Sequence, residues 1–505
     1  MIYIDQNRTD YNNDFRSMLQ AFFISEKLIA AQVLEDGLGL VDKKRDGEIL
    51  PPPRFAMIIR YSDEGISFRI LEPVSAPSAG QAPVTYEECE SSFVACDYRD
   101  KQTWKHEIHS GIYEILSVYT GRTLPWGFLT GVRPTKLATE FLEQGTTKEE
   151  IHSYFVDTCH TTCQKADICI EVAQEEQRLL DGIDFQKEYC LYVGIPFCPT
   201  RCLYCSFASY PIASYQSRVD AYLDALEQEI TYAAGAYRDR RLISVYIGGG
   251  TPTSISAAQL NRLLDMLMSA FDMSHVREFT VEAGRPDSIT AEKLQVLKRH
   301  GISRISINPQ TMHDETLKLI GRAHTVQQTL DTFALARDMG FDNINTDMIV
   351  GLPGEALSHV EETLAALFRL QPESLTVHSL AIKRAANLNA QLEQYQHVIK
   401  GSTNEMLLSA DACARRMDMH PYYLYRQKNI PGNLENIGYA LRGRECLYNI
   451  LIMEEKMDIL ALGAGASTKR VFHQENRIER VENVKCVDDY IGRIDEMLER
   501  KRALL

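Results

Sequence analysis

Between residues 190 and 400, short apolar runs alternate with amphipathic stretches. This rhythm restricts the fold more than any other feature of the 505 residues. The runs Leu191–Pro196, Ile243–Ile247, Glu278–Glu282, Arg304–Ile307, Asn343–Val350 and Ser374–His378 have strand length. Helical periodicity follows each, at Gln216–Ala236, Ala257–Phe271, Ala291–Arg299, Glu315–Ile320 with Val326–Met339, Ser358–Leu370 and the region Asn387–Ile399. Parallel strands need a crossover to bring the chain back, usually a helix, so strand–helix alternation means a parallel sheet. The expected class is α/β, with six units curling into a partial (β/α)6 TIM-like barrel.

The strand ends carry unusual residues. The first leads to Cys198 and the second into Gly248-Gly249-Gly250-Thr251-Pro252-Thr253. The third leads into Glu282-Ala283-Gly284-Arg285-Pro286 and the fourth into Asn308-Pro309-Gln310. The fifth carries Asp347 and runs into Gly351-Leu352-Pro353-Gly354, and the sixth leads into His378-Ser379-Leu380-Ala381. Parallel barrels build their sites at the C-terminal ends of the strands, so all six ends are expected at one mouth.

Cys198, Cys202 and Cys205 are spaced C-x3-C-x2-C with no fourth cysteine nearby. Thiolates at this density suit an iron–sulfur cluster, and three of them leave one iron open for a ligand. Spacing alone leaves zinc with a distant histidine open. Gly248–Thr251 lets backbone approach a ligand closely, but it is neither the G-x-G-x-x-G fingerprint nor a phosphate loop with its lysine. Cys159 and Cys163, at i and i+4, are expected on one face of an apolar-periodic helix as plain packing.

The formal net charge of −15 argues against nucleic acid and anionic membrane surfaces as general partners. No apolar run reaches the roughly 18 residues of a spanning helix, and Asp5, Arg8 and Asp10 interrupt the N-terminus before a signal-length core. The twelve cysteines are scattered rather than framed for disulfides, which fits a reducing cytoplasm. Three parts are expected: an N-terminal α+β accessory domain over 1–185, the barrel over 186–400 and a mainly helical, substrate-side domain over 401–505. In the first, Phe55–Tyr61 and Ile66–Leu71 read as a hairpin, Pro73–Pro83 as a loop, and Trp104–Leu180 as helices broken around Gly131–Pro134. In the third, His420–Tyr439 reads as a polar, aromatic loop. Its Tyr422–Lys428 stretch suits either a flat aromatic ligand with carboxylates, paired by Arg426, or simple packing.

Together these residues resemble the radical S-adenosylmethionine enzymes, whose mark is C-x3-C-x2-C with an aromatic before the third cysteine, here Tyr204. The segments 192–198, 248–253, 304–310 and 351–354 resemble the oxygen-independent coproporphyrinogen III dehydrogenase family. The length, the long N-terminal region, Pro421–Tyr425 and Gln427–Gly432 resemble its HemZ-type branch. The chain departs from the family at Gly194, where a histidine is usual, and at Asn308-Pro309, which replaces a Gly-Val pair.

The resemblance implies a 4Fe-4S cluster on Cys198, Cys202 and Cys205, with S-adenosylmethionine chelating the open iron. It implies that Tyr192, Tyr204, Gly249 and Glu282 contact this first molecule, and that Gly250, Thr251, Gln310, Arg322, Asp347 and Ala381 match positions binding a second. Tyr192 and Glu282 are the residues expected at the reacting centre. The implied reaction turns two propionates of coproporphyrinogen III into vinyl groups through a 5′-deoxyadenosyl radical, giving protoporphyrinogen IX in a monomer served by an unidentified electron donor and acceptor. Arg426, Lys428, Lys469 and Arg470 are candidate propionate contacts. The nearest rival is a related haem chaperone, whose His-Asn-x-x-Tyr-Trp motif is replaced here by Tyr448-Asn449-Ile450-Leu451-Ile452-Met453. Haem-processing radical methyltransferases and tRNA-modifying radical enzymes are further rivals, the last disfavoured by the acidic charge.

Overall fold

A computed structural model describes residues 1–8, 12–23, 26–33, 40–42, 51–74, 86–96, 99, 101–131, 133–381, 403–426 and 430–505. The expected Asn387–Ile399 helix, Lys428 and most of the expected Pro73–Pro83 loop lie outside these residues. The chain divides into two compact units, one of Met1–Ile170 with Arg426–Leu434 and one of Glu171–Tyr425 with Glu435–Leu505.

The first unit holds a six-stranded sheet in the order β3-β2-β1-β4-β5-β6. Its strands are β1 (Ile2–Gln6), β2 (Leu28–Val33), β3 (Leu40–Asp42), β4 (Phe55–Tyr61), β5 (Gly65–Pro73) and β6 (Tyr86–Ala95). β4 and β5 form the expected antiparallel hairpin, Ala56 facing Leu71. The helix Lys101–Thr120 presents Trp104, Ile108, Ile112 and Leu116 at helical spacing. They bury against Met57, Ile59, Phe68 and Ile70 of the sheet. Cys159 and Cys163 do not share a helix face. Cys159 ends a π-type turn at Tyr154–Thr158, and a left-handed His160 (φ 59°) breaks the chain before the next helix starts at Cys163, leaving Cys159 buried and Cys163 exposed.

The second unit contains the parallel strands β7 (Glu188–Ile195), β10 (Arg241–Gly249), β11 (Glu278–Gly284), β12 (Arg304–Ile307), β13 (Ile344–Val350) and β14 (Ser374–Ser379). They pair in that order. Short β8 (Phe197–Cys198) and β9 (Tyr210–Pro211) pair separately. Alternate residues divide the strands: Leu191, Val193, Val245, Ile247, Val281 and Ile305 face the outer helices and pack against Leu226, Leu263 and Leu297. The other set faces the barrel interior, including Tyr192, Tyr246, Glu282, Arg304, Asp347 and His378. Helix starts are set locally by capping boxes, Ser256 with Gln259 and Thr325 with Gln328.

Residues 403–505 carry helices and also extend the barrel sheet. β17 (Asp458–Leu462) adds a further parallel strand beside β7, followed by antiparallel β18 (Ser467–Phe472) and β19 (Arg477–Glu482). The stretch read as a loop at 420–439 is instead two strands, β15 (His420–Arg426) and β16 (Glu435–Ala440), with β16 antiparallel to β14. Its tyrosines are core residues: Tyr422 and Tyr423 are buried, and Gly438 leaves room for the Tyr423 ring, which a Cβ would meet at 1.9 Å. Among the described residues, no helix is long and apolar enough to cross a membrane.

Candidate active site

The cysteine loop follows β7 at the C-terminal edge of the sheet. Tyr210 N–H donates to Pro196 O (2.8 Å), Leu203 N–H to Ile320 O (2.9 Å) and the Thr200 hydroxyl to Gly321 O (2.9 Å), so both ends and the middle are tied down. Thr251 Oγ1 lies 3.5 Å from Cys198 Sγ and donates to it. Burial pushes the Cys198 thiol up to about 11; a metal bound at the sulfur removes that proton outright.

The donor set, three thiols within Cys198–Cys205, fits an iron–sulfur cluster. Thiolates sharing one zinc at 2.3 Å stand about 3.8 Å apart. Among the described residues, one group of three metal-type side chains has its ligand atoms all within 4.8 Å of one another, and it is Glu175, His420 and Glu445 rather than the loop cysteines. That group already has cations: Arg178 pairs with both carboxylates and Arg442 with Glu175. The loop sulfurs of Cys198, Cys202 and Cys205 do not form such a group, and their three thiols on one short loop are the donor set that holds a cluster with one open iron.

The glycine turn lies against this loop. Gly250 N–H donates to Ile195 O (2.8 Å) and Thr251 N–H to Phe197 O (2.7 Å). Gly249 has φ 103°, and a Cβ on Gly250 would stand 2.5 Å from Phe197 O, so neither position accepts a side chain without backbone movement.

Beneath the turn, the interior is aromatic and acidic. The rings of Tyr192, Tyr246 and Tyr448 stack at 4.6 to 6.3 Å between centroids, within about 21° of parallel. Tyr246 Oη donates to Glu282 Oε1 at 2.5 Å. Burial pushes the Glu282 carboxyl up to about 7; the Tyr246 hydrogen bond opposes this and the Asp347 charge adds to it. Asp347 is held low: burial works against its charge, but His378 (3.8 Å away) and the Asn345 amide, which donates to Oδ1 at 2.7 Å, outweigh it.

The fourth strand end supplies unpaired polar atoms. Gln310 takes a left-handed φ of 69°, its N–H donating to Asp347 O (3.0 Å) and its carbonyl accepting from Ile349 N–H. Its Oε1, Asn308 Oδ1 and Arg322 Nε are buried without hydrogen-bond partners. Arg322 donates to Asn308 O and reaches the side chains of Tyr204 and Cys202. Buried polar groups are rarely left unpaired, so these atoms mark space suited to a polar ligand. Ala381 is buried just beyond β14.

The structure thus gathers Cys198, Cys202, Tyr204, Thr251 and Arg322 at the loop, and Tyr192, Glu282 and Asp347 in the interior. Sequence reasoning placed His378 at a strand end without its Asp347 partner, and it missed Tyr246, the interior position of Tyr448 and the loop contacts of Arg285. Tyr246 lies two residues before Gly248 on the same strand face, a signal that strand periodicity alone supplies. Three of the four expected propionate cations are engaged elsewhere, and Lys428 lies outside the described residues. Arg426 donates to the Leu129 and Gly131 carbonyls and stands over Trp126, Lys469 pairs with Glu455, and Arg470 binds the Leu504 and Leu505 carbonyls.

A three-cysteine loop over the C-terminal edge of a partial barrel defines a radical S-adenosylmethionine domain, and the profile of the Radical SAM superfamily matches residues 192–367. Such a domain works with a 4Fe-4S cluster and S-adenosylmethionine. Over 82% of its length the chain is 39% identical to the oxygen-independent coproporphyrinogen-III oxidase-like protein HemZ of Bacillus subtilis (strain 168), covering 84% of that protein, and it belongs to this family. It is also 34% identical to the heme chaperone HemW of the same organism, over 60% of this chain and 76% of that one. Its likeness to the oxygen-independent coproporphyrinogen III oxidase of Salmonella typhimurium, 34% identity, spans 39% of this chain and 42% of that one. The solved coproporphyrinogen III oxidase HemN of Escherichia coli shares the fold, with a TM-score of 0.51 at 24% identity, covering 64% of this chain and 73% of that one.

Proposed function

We propose that the chain is an oxygen-independent coproporphyrinogen III dehydrogenase. Each of two propionates loses carbon dioxide, one hydrogen atom and one electron to become a vinyl group, giving protoporphyrinogen IX. When bound, the cluster and S-adenosylmethionine supply the 5′-deoxyadenosyl radical that takes the hydrogen atom. Cys198, Cys202 and Cys205 hold the cluster. Gly249 brings bare backbone to the ligand, Glu282 accepts its ammonium group, and Tyr192 and Tyr204 wall it off from water. Gly250, Thr251, Gln310, Arg322, Asp347 and Ala381 line the space beyond, which suits a second S-adenosylmethionine. In this reading residues 1–185 are an accessory domain, 186–400 the radical domain and 401–505 the substrate side of a cytoplasmic monomer. The electron donor and acceptor are external.

One observation favours this reading over a haem chaperone. The position where the chaperone motif carries histidine holds Tyr448, and its side chain is buried in the barrel, stacked on Tyr246 at 4.6 Å. A residue packed there braces the Glu282 site and offers no ligand to an external haem iron.

The test is anaerobic turnover by the reconstituted protein with dithionite, S-adenosylmethionine and coproporphyrinogen III. Two molecules each of carbon dioxide and 5′-deoxyadenosine per protoporphyrinogen IX are expected. Stoichiometric haem binding without decarboxylation would overturn the proposal in favour of the chaperone. Cys202→Ala is expected to lose cluster absorbance and turnover together.

A further inference from the structure

The third strand ends irregularly. The pairing of β11 with β12 shifts register between Val281 and Gly284, Gly284 takes φ 66°, and Arg285 N–H turns back to Ala283 O at 2.8 Å. Such a bulge re-aims the next side chain. Here it turns Arg285 into the cysteine loop, where its guanidinium is 3% exposed. Nη1 donates to Thr200 Oγ1 (2.7 Å) and Thr200 O (3.1 Å) and stands 3.9 Å from Cys202 Sγ. The far side of the fork is held by Asp287, with Nε to Oδ1 at 2.9 Å and Nη2 to Oδ2 at 2.6 Å.

This geometry is bidentate on the carboxylate and convergent on the loop, which fixes the guanidinium in one orientation. Arg322 approaches Cys202 as well. Cys202 is therefore the loop sulfur set between two buried cations. Among the described residues no other contact of Arg285 competes for this fork.

We propose that Arg285, oriented by Asp287, is a positioning residue of the iron–sulfur site that fixes Thr200 and Cys202 and raises the cluster's reduction potential through charge at the Cys202 sulfur. Hydrogen bonds to the sulfurs and local net charge are the levers by which a protein sets a cluster's potential. Reduction adds negative charge, so a nearby cation favours the reduced state and widens the choice of donor. Asp287 opposes this: it keeps the fork in place and offsets part of its charge. The two residues therefore act on the potential with opposite sign, although both support the same loop.

The inference rests on the cluster and not on the porphyrin reaction, and its test uses neither substrate nor S-adenosylmethionine. The full-length protein is reconstituted anaerobically, its iron content is measured, and its cluster is titrated with the reduced signal followed by electron paramagnetic resonance. Arg285→Gln is expected to shift the reduction equilibrium about tenfold toward the oxidised state, about 59 mV for a one-electron couple. Asp287→Asn is expected to shift it toward the reduced state, and Arg285→Lys to restore most of the wild-type potential. Shifts of the same sign in Arg285→Gln and Asp287→Asn, or none beyond about twofold (~18 mV at 59 mV per decade), would overturn the proposal. Should Arg285→Gln fail to take up iron, Asp287→Asn decides: a raised potential supports the assignment, and an unchanged or lowered one refutes it.

Discussion

Glu282 gives the site a measurable pH signature. Its carboxyl is buried in the barrel and pushed up to about 7 from an ordinary 4.5. The cause is the cost of placing a charge among Tyr192, Tyr246 and Tyr448, relieved in part by the Tyr246 hydroxyl and increased by the Asp347 charge. A ligand ammonium seated on Glu282 requires the carboxylate, so binding must release a proton wherever the unligated group is protonated. One-site titration around 7 leaves about 9% ionised at ~pH 6 and half at ~pH 7. Affinity for S-adenosylmethionine is then expected to rise about fivefold over that interval, because only the ionised fraction is competent. The window closes near pH 7.7, where an α-amino group loses its own proton.

The folding sign runs the opposite way. A folded-state value above the ordinary one means that the native unligated protein holds the extra proton. The stabilisation is complete below about 4.5 and is lost as pH rises through 7, a difference on the order of 3 kcal/mol. Isothermal titration of the cluster-loaded protein in two buffers of different ionisation heat reads both affinity and proton release. About 0.9 proton per ligand is expected at ~pH 6. Glu282→Gln should bind weakly with no pH dependence between ~pH 6 and ~pH 7. Equal wild-type affinity at the two pH values, or a Gln variant that keeps the slope, would refute the assignment of Glu282 to the ammonium.

Two further outcomes follow from the packing. Tyr246→Phe removes the 2.5 Å donor that favours the ionised carboxylate, so the pH midpoint for ligand binding should move up by one to two units, taking ~1.5–3 kcal/mol for a hydrogen bond to a charge; an unmoved midpoint in the same titration would show that the bond does not act on Glu282. Lys501 and Glu229 are both fully buried and 3.2 Å apart, so Lys501→Met should cost about 3–5 kcal/mol in urea unfolding by stranding the Glu229 charge, and adding Glu229→Gln should recover more than half of it.

The barrel was legible because its physics is local. Apolar runs of strand length, capped helix starts such as Ser256 and Thr325, and glycines after the strands each leave a mark within a few residues. The cysteine loop was legible for the same reason: its three sulfurs lie within eight residues of one another. What escaped depends on contacts distant in sequence. β15 and β16 read as a loop because Tyr422, Tyr423 and Tyr425 show no apolar–polar alternation, and that alternation is absent where both strand faces are covered. β17 is a five-residue strand whose partner β7 lies about 270 residues earlier, with Asp458 paired to Tyr189; the apolar run Ile459–Leu462 is visible in the sequence, but nothing local announces its pairing. Arg285 was legible only as part of a strand end, because its direction into the cysteine loop comes from a bulge rather than from its place in a motif.

The C-terminal segment also explains why the interior can hold Glu282 as it does. Leu447 N–H donates to Glu278 Oε2 at 2.8 Å, and Tyr448 N–H and the Cys446 thiol approach Oε1 at 3.4 Å, so a carboxylate on β11 caps the helix Leu447–Glu454 inside the barrel. An acid at a helix N-terminus is stabilised by the unpaired amides there, and here it fixes where that helix begins. The first turn then delivers Tyr448 onto Tyr246, whose hydroxyl holds Glu282. Four residues further along β11 than the capping acid, Glu282 therefore faces a floor built by residues 446–454. The two acids of one strand divide the work: Glu278 positions the floor, and the floor positions the tyrosine that tunes Glu282. A polar replacement at Tyr448 would admit water beneath the site and lower the Glu282 value toward the ordinary carboxylate range. This links the residue that separates this chain from the chaperone motif to the chemistry at its mouth.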